Sequence, residues 1–302
     1  MSRIVRVLGA LVTLLALAGV AALGTLGVMR ARDDAFARQN ADARDRARVV
    51  ASVVHDALQG NAAAVADTAR RDPLQRAVAA SDWAKAGPFI FELVTARPGF
   101  TTVAIYDRFG RLALRIPFDG TVAHRRFGQQ EYFSQAVNAQ TPHISNLFVQ
   151  LGTPKVAVVA YSMRIRLRAS TYGVLVGTTP ITEFDTLVAL YAPAGSIVRL
   201  YNASGERISP SSEASGKSYT TDPVVGPALV GRSTFHRASG SIVAAEPVAD
   251  VGWAVVVSQP ARLGNKSVHD LTIRLSLLAG GATLLALIAT TAAWRRKSPH
   301  AG

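Results

Sequence analysis

The chain has 302 residues, a formal net charge of +13 and no cysteine. This length suggests about two domains, and the absence of cysteine excludes disulfide bonds and metal sites built from thiolates. The six histidines show no spacing typical of metal ligands. The sequence therefore predicts neither a metal site nor a bound cofactor.

Two long apolar runs lie near the two ends of the chain. Residues 4–29 contain a single charge, Arg6, and residues 275–294 contain none. About 20 apolar residues are enough to cross the ~30 Å hydrocarbon core of a bilayer, so we predict a transmembrane helix over each run. A cleaved signal peptide is the alternative for the first run, although its length exceeds the roughly 7–15 apolar residues of such peptides. A buried core helix is the alternative for the second.

Basic residues flank the outer end of each run. Arg3 and Arg6 lie at the first, and the tail 295–302 begins with Arg-Arg-Lys. Because basic residues favour the cytoplasmic side, we expect both termini in the cytoplasm of a bacterial cell and the protein in the inner membrane. Residues of about 31–272 would then be periplasmic or extracellular. The short tail predicts no output domain, so signalling would require another protein.

The predicted elements begin with a helical segment over residues 31–95. A long helix is expected over about 32–71, where the apolar residues Val50, Val54 and Leu58 recur at a spacing of four. A further helix is expected over 89–96. Both would precede the first strands of the chain.

Strand patterns dominate the chain from residue 96 onward. We predict a first unit over 96–192 and a second, smaller unit over 193–262. In the first unit, the turn Asp107–Gly110 lies between two short apolar runs, which predicts a β-hairpin. Its elements are strands at 101–106, 111–116, 143–148, 155–163 and 172–179, with helices at 129–138 and 181–191. The second unit has predicted strands at 196–202, 206–208, 233–238, 241–247 and 252–259. The predicted fold is therefore α+β, with two antiparallel-sheet units on a long N-terminal helix.

The order of several segments makes the chain similar to a known family. The segments are AIYDRFGRLALRIP, EYFSQAVNAQTPHISNLF, KVAVVAYSM, YGVLVGTTPI and IVAAEPVADVGWAVVVSQP. In this order they resemble the double Cache (dCache) extracytoplasmic sensor domains of bacterial membrane receptors, over nearly all of residues 31–272. The resemblance implies two PAS-like units. The membrane-distal unit would hold a ligand, the membrane-proximal unit would carry the signal inward, and the long helix would form a homodimer.

The resemblance also argues against one class of ligand. The amino-acid-sensing branch has an arginine for the ligand carboxylate at the position of Gln130, followed by aromatic residues at the positions of Tyr132 and Phe133. It has an aspartate for the ligand ammonium at the position of Thr178, or of Thr179. Because both charged groups are replaced by neutral ones, the resemblance argues against a free α-amino acid.

The sequence nevertheless predicts a pocket for a small polar or carboxylated molecule, and an organic anion is one candidate. Such a pocket combines apolar walls with a few placed polar groups. Arg115 and His143 are the candidate partners of an anion. The whole predicted set is Tyr106, Arg115, Gln130, Tyr132, Phe133, His143, Ser145, Tyr161 and Thr178.

Several of these assignments have a plainer alternative. Tyr132 and Phe133 also fit the apolar face of a helix packed on a sheet, and Tyr161 fits a core position of an apolar strand. His143 fits an ordinary loop histidine. Strand alternation alone does not decide which face of the sheet Arg115 occupies.

Other functions compete with that of a sensor. An exported enzyme would need a nucleophile, a base and an orienting group in a recognisable setting, and the sequence contains no such pattern, so we predict no enzymatic activity. A ligand-independent adaptor or regulator of a separate kinase, cyclase or envelope complex stays open as the alternative. The basic exported part could also contact membrane lipid, whereas the predicted topology argues against nucleic acid.

Overall fold

The structure is a computed structural model that describes residues 2–122, 125–151, 155–192, 194–213, 217–238, 240–261 and 273–274. The chain divides into two compact parts, residues 1–42 with 260–302 and residues 43–259. No helix within the described ranges is both long and apolar enough to cross a membrane. The second predicted span, 275–294, lies outside the described residues.

Three helices open the chain, named α1 (Ser2–Ala69), α2 (Asp72–Ala79) and α3 (Trp83–Ala96). Helix α1 is longer than the predicted helix, because it continues without a break from the first apolar run. Helix α3 begins earlier than residue 89, the predicted start. Its first turn is capped by the Asp82 carboxylate, which accepts a hydrogen bond of 3.1 Å from the backbone N–H of Lys85. Pro88 lies inside this helix rather than at its boundary.

The residues of α1 in the larger part, 43–69, present a continuous apolar face. Val50, Val54 and Leu58 are at most 1% exposed, as their spacing predicts. Val65 lies against the first sheet, where a Cβ atom added to Gly177 would meet its side chain at 3.2 Å. Burial of this face, at roughly 25 cal/mol per Å² of apolar surface, holds the helix on the back of the sheet.

The first sheet is antiparallel and contains the hairpin that the sequence predicts. Its strands run in the order β2-β1-β6-β5-β3, and β4 also pairs with β5. Helix α4 (Glu131–Asn138) packs on one face of this sheet through its buried residues. The strands are β1 (Thr102–Asp107), β2 (Leu112–Ile116), β3 (His143–Ile144), β4 (Phe148–Val149), β5 (Ala157–Leu167) and β6 (Ser170–Pro180).

Register decides which side chains of the first sheet share a face. Ala104 lies opposite Arg115 on β2 and opposite Val176 on β6. Thr178 lies opposite Ala160, whereas Tyr161 lies opposite Gly177. Because successive strand residues point to opposite faces, Tyr161 faces α1 on the back of the sheet, and Thr178 faces the front.

The second sheet repeats the arrangement of the first. Helix α5 (Ile181–Tyr191) follows β6 directly and leads into strands that lie in the order β8-β7-β11-β10-β9. If β3 and β4, which both pair with β5, are counted as one strand, the strand order is the same in both sheets, and the two sheets have the form of PAS-like units. The elements are β7 (Ile197–Tyr201), β8 (Arg207–Ser209), a 3₁₀ turn (Ser211–Glu213), α6 (Val225–Leu229), β9 (Thr234–Ala238), β10 (Ser241–Val248) and β11 (Trp253–Pro260).

Candidate functional site

A cavity of about 40 Å³ lies on the front face of the first sheet, beneath α4. One water molecule needs roughly 10–15 Å³ by this kind of measure, so the cavity has room for a molecule of a few non-hydrogen atoms. Polar and apolar groups both line it. The lining residues are Thr102, Ala104, Tyr106, Leu112, Arg115, Val122, Phe127, Gln130, Tyr132, Phe148, Val149, Gln150, Leu151, Val176 and Thr178.

Strand β1 supplies the floor of the cavity through alternate residues. Thr102, Ala104 and Tyr106 point to the same face, since they are two residues apart along one strand. The short side chain of Ala104, opposite Arg115, leaves open space between its larger neighbours. The cavity therefore lies above a small residue, with tyrosine at one end and threonine at the other.

Aromatic side chains form one wall of the cavity. The rings of Tyr106 and Tyr132 lie 5.9 Å apart between centroids, and Tyr132 stacks on Phe148 at 5.1 Å. Phe127 lies 5.1 Å from Tyr106 on another side. These tilted and stacked arrangements are the ones that aromatic pairs prefer, so the wall is packed as firmly as a core.

The hydroxyl groups of this wall stay protonated. Burial is the main cause that raises the pKa of Tyr106, and the same cause raises the pKa of Tyr132 above its ordinary value. The positive charge of Arg115, which lines the same cavity, opposes the increase in both. The two hydroxyls also hydrogen-bond to each other, so one of them donates within the pair and one proton is left for a ligand.

Arg115 is the charged group of the cavity wall. Its side chain is only 10% exposed, and its Nη1 donates to the Asp119 carboxylate at 3.4 Å and to the Leu151 carbonyl at 3.5 Å. Its Nε is buried and has no hydrogen-bond partner among the described residues. Burial of an unpaired donor costs about 1–3 kcal/mol. A ligand that accepts a hydrogen bond from Nε would remove this cost.

Three neutral side chains are linked at the other end of the cavity. The amide nitrogen of Gln150 donates to the Thr102 hydroxyl at 2.8 Å, and the Thr178 hydroxyl donates to the Gln150 amide oxygen at 3.3 Å. Thr102 and Thr178 are both at most 6% exposed. This cluster can exchange hydrogen bonds with an uncharged ligand group.

The structure brings five of the nine predicted site residues to the cavity: Tyr106, Arg115, Gln130, Tyr132 and Thr178. Arg115 faces the cavity, which decides the question that strand alternation left open. The remaining four, Phe133, His143, Ser145 and Tyr161, do not line it.

His143 makes its contact at the rim of the cavity and does not line the cavity itself. The Nε2 of His143 lies 3.1 Å from a carboxylate oxygen of Glu131. The same carboxylate accepts hydrogen bonds of 3.4 Å from the backbone and side-chain nitrogens of Asn146. These contacts join the start of α4 to the segment between β3 and β4.

Core packing explains the position of the other three residues. Phe133 lies edge-on to Tyr106 at 6.3 Å within the buried cluster under α4. The Ser145 hydroxyl is buried between the carbonyl of Asn146, to which it donates, and the N–H of Ala160. Tyr161 packs on Phe100 at 5.8 Å on the opposite face of the sheet.

Sequence reasoning missed several lining residues. Thr102 and Ala104 could have been found, since they share a face with Tyr106 at a spacing of two. Gln150 and Leu151 follow a strand of only two residues, and no periodic pattern extends into so short an element. In the described part of the chain, no group of three or more histidine or acidic residues lies close enough to hold a metal ion.

The sequence matches no protein-family model and no curated protein. The structure, however, is similar to several solved domains. The ligand-binding domain of the Pseudomonas fluorescens chemoreceptor CtaA, in complex with L-valine, matches with a TM-score of 0.61 and 15% identity, over 74% of this chain and 98% of that domain. The sensory domain of the Campylobacter jejuni chemoreceptor Tlp3, with isoleucine bound, has a TM-score of 0.59 and 13% identity, over 78% and 97% of the two chains.

A third similar structure comes from another class of receptor. It is the extracellular domain of rpHK1S-Z16, named as a histidine kinase, with a TM-score of 0.58 and 19% identity over 74% of this chain and 95% of that one. The chain has the fold of a double Cache sensor domain. The resemblance drawn from the sequence is thus confirmed for the fold, and these neighbours are sensor domains rather than enzymes.

Gln130 and Thr178, two positions at which the resemblance implies charged contacts in amino-acid sensors, both line the cavity. Gln130 lies at the start of α4, and Thr178 lies near the end of β6. Neither carries a charge, so the groups expected for the carboxylate and ammonium of an amino acid are absent at both places. The charge of this cavity instead comes from Arg115 on β2.

Proposed function

We propose that this chain is a membrane-anchored extracytoplasmic sensor that binds a small polar or carboxylated molecule in the cavity of its first sheet. The observation that carries the proposal is Arg115, whose side chain lines the cavity at 10% exposure, with a buried Nε that has no hydrogen-bond partner among the described residues. A cation with an unused donor in a small, mostly apolar cavity is typical of a ligand site.

The proposal also includes the anchoring and orientation of the domain in the membrane. The runs 4–29 and 275–294 would anchor it in the bacterial inner membrane, with residues of about 31–272 outside and both termini in the cytoplasm. The distal unit would comprise 96–192 and the proximal unit 193–262, with 31–95 as the helical lead-in. The basic residues at the outer end of each run, Arg3 and Arg6 at the first and Arg295, Arg296 and Lys297 at the second, support this orientation.

Signalling would reach a partner through the helices. Helix α5 follows strand β6, which lines the cavity, and packs on the second sheet through Phe184, whose ring lies 5.6 Å from that of Trp253. A shift of β6 on ligand binding would therefore move the second sheet and the last strand, β11. We propose an output protein in trans, a homodimer through the long helix α1, and lipid around the two anchors.

A thermal-shift experiment on the full chain in detergent tests ligand binding. A panel of small organic acids, alcohols, amides and amino acids should include compounds that raise the melting temperature. At 100 times its dissociation constant a ligand adds about 2.7 kcal/mol, which corresponds to roughly 5–10 °C for a domain of this size.

Two variants locate the site. Ala104→Leu places about three extra carbons in the cavity and should abolish the shift, whereas Ala189→Leu, on the exposed side of α5, should retain it. Tyr132→Ala with Gln130→Ala should also remove most of the affinity. If no compound stabilises the native chain, the ligand-independent adaptor becomes the better interpretation. If Ala104→Leu shows the same increase in melting temperature as the native chain, the ligand binds outside this cavity.

A further inference from the structure

The guanidinium of Arg115 is hydrogen-bonded through Nη1, whereas its Nε is buried and has no hydrogen-bond partner among the described residues. We call the side without a hydrogen-bond partner the open edge. Both of its hydrogen bonds use Nη1, toward Asp119 and the Leu151 carbonyl. Asp119 is itself fixed by Thr121, whose backbone N–H and hydroxyl donate to it at 2.9 and 2.6 Å. The opposite edge, formed by Nε and Nη2, donates to no other residue that the structure describes.

This open edge has the geometry that carboxylates prefer. The N–H groups of Nε and Nη2 are parallel, so they can donate to both oxygens of one carboxylate at once. Asp119 fixes the guanidinium from the far side, which reduces the freedom that an arginine side chain loses on binding. A single point charge such as lysine would not offer this pair of parallel donors.

Two tyrosine hydroxyls extend the same donor surface. Tyr106 and Tyr132 both lie near the positive charge of Arg115 and both line the cavity. A carboxylate on the open edge would be able to accept a further hydrogen bond from one of them. Hydrogen-bond donors from β1, β2 and α4 thus all line the cavity.

The charge of the lining limits the ligand further. Among the lining residues in the described part of the chain, Arg115 carries the one formal charge, and no acidic side chain is present. Glu131, at the start of α4, is engaged by His143 and Asn146 at the rim. A ligand ammonium would therefore be buried without a counter-charge, which is costly.

We infer that the ligand is a small monocarboxylate without an ammonium group, held side-on by Nε and Nη2 of Arg115. This inference rests on the proposed function and names its ligand class. The linked side chains of Thr102, Gln150 and Thr178 line the same cavity. They provide neutral partners for an uncharged substituent of the ligand, such as a hydroxyl or carbonyl group.

Titration calorimetry of the full chain with matched probes tests the inference. The probes are acetate, propionate, lactate and pyruvate, the amides acetamide, propionamide and lactamide, and the amino acids glycine and L-alanine. At least one monocarboxylate should bind. Its amide should bind at least about 100-fold more weakly, since it loses the hydrogen bonds to a charged group, and the matched amino acid at least about 10-fold more weakly.

Variants of the donors supply the second half of the test. Arg115→Gln should abolish binding of the carboxylate, and Arg115→Lys should weaken it about 10-fold or more because the fork is lost. Tyr132→Phe keeps the ring in its packing and should weaken binding by roughly 3–10-fold. It therefore tests the site even if the arginine variants fold poorly.

The outcomes separate the ligand class from the function. Binding of an amide or amino acid as tight as that of its carboxylate overturns the monocarboxylate inference but leaves the sensor in place. Unchanged carboxylate affinity in Arg115→Gln and Tyr132→Phe also overturns the inference. If no probe binds, and the wider panel of acids, alcohols, amides and amino acids also fails to stabilise the chain, both the inference and the proposed function are overturned.

Discussion

The carboxylate of Asp185 accepts a hydrogen bond of 2.7 Å from the hydroxyl of Ser209. It also accepts the backbone N–H of Ser211 at 2.9 and 3.0 Å on its two oxygens. Asp185 belongs to α5, directly after the last strand of the first sheet, and Ser209 ends β8 of the second sheet. This contact ties the helix that leaves the cavity-bearing sheet to the edge of the other sheet.

Asp185→Ala should weaken the second sheet. The change leaves the Ser209 hydroxyl and the Ser211 N–H without their acceptor, and hydrogen bonds to charged groups contribute about 1.5–3 kcal/mol each. We expect the free energy of unfolding to fall by about 2–3 kcal/mol in urea titrations. Leu190→Ala, on the same helix but 76% exposed, should change it by less than about 0.5 kcal/mol. Equal effects of the two variants would contradict a role for the contact.

Tyr161 should make the protein sensitive to alkali. Burial raises the pKa of Tyr161 from 10.0 to about 12, against smaller opposing effects of Asn61 and Thr179. Between pH 10 and 12 the unfolded chain loses this proton while the folded chain keeps it, so the stability that is full below pH 10 is lost as pH rises through 12. The loss amounts to about 3 kcal/mol at roughly 1.4 kcal/mol per pH unit.

Tyr161→Phe should remove most of that loss. Its hydroxyl has no partner at hydrogen-bonding geometry among the described residues, so the substitution should cost less than about 1 kcal/mol at pH 7. Unfolding measured at pH 8, 10 and 11 would show a flatter profile for the variant. Ligand affinity at pH 7 should stay unchanged, because Tyr161 faces away from the cavity. If the variant and the native protein have the same pH profile, titration of Tyr161 is not the cause of the loss of stability in alkali.

His143 should support the rim of the cavity without binding the ligand. Its contact with Glu131, at 3.1 Å, is partly exposed, with 23% and 41% of the two side chains accessible. A double-mutant cycle with His143→Ala and Glu131→Ala should give a coupling of about 0.2–1 kcal/mol in unfolding experiments. His143→Ala should leave ligand affinity within about threefold of the native value. A loss comparable to that of Arg115→Gln would place the histidine in the site.

Gly173 should tolerate no side chain. A Cβ atom at this position on β6 would lie 2.4 Å from the backbone oxygen of Tyr106, so the pairing of β1 with β6 would have to shift. Gly173→Ala should lower the free energy of unfolding by about 1–3 kcal/mol. Gly87 lies inside α3 with nothing within 4 Å of an added Cβ, and Gly87→Ala should stabilise by about 0.5–1 kcal/mol. Similar results for both glycines would contradict the close approach.

Local patterns predicted much of the fold. The hairpin around Asp107 is a clear case, since the Asp107 carboxylate accepts the N–H groups of Phe109 and Arg111 at 2.8 and 2.9 Å. Helix α5 begins and ends where the pattern predicts, at Ile181 and Tyr191. These elements depend on contacts within a few residues, which a sequence displays directly. The start of α3 was predicted six residues too late because Gly87 and Pro88 usually end a helix, whereas here they lie within one.

The candidate site was less predictable because it joins distant parts of the chain. Tyr161 and Thr178 both belong to apolar strands, and only the register that sets Thr178 opposite Ala160 assigns them to different faces. A shift of one residue would have exchanged them. Gln150 enters the cavity from a loop with no periodic pattern and is held by Thr102, 48 positions away along the chain. Patterns within a short stretch of sequence do not predict such long-range contacts.

The sequence by itself determined the class of the protein: a basic chain without cysteine, two apolar runs, a long helix and two units of short strands, in the order of a double Cache sensor domain. It also showed that Gln130 and Thr178 carry no charge where an amino-acid sensor would. Only the tertiary structure decided that Arg115 faces the cavity, with Nη1 held by Asp119 and a buried Nε that has no hydrogen-bond partner in the described part of the chain. The reason is physical, since apolar periodicity is a local property, whereas the face, partners and burial of one side chain depend on the register of strands and on loops packed from elsewhere in the chain.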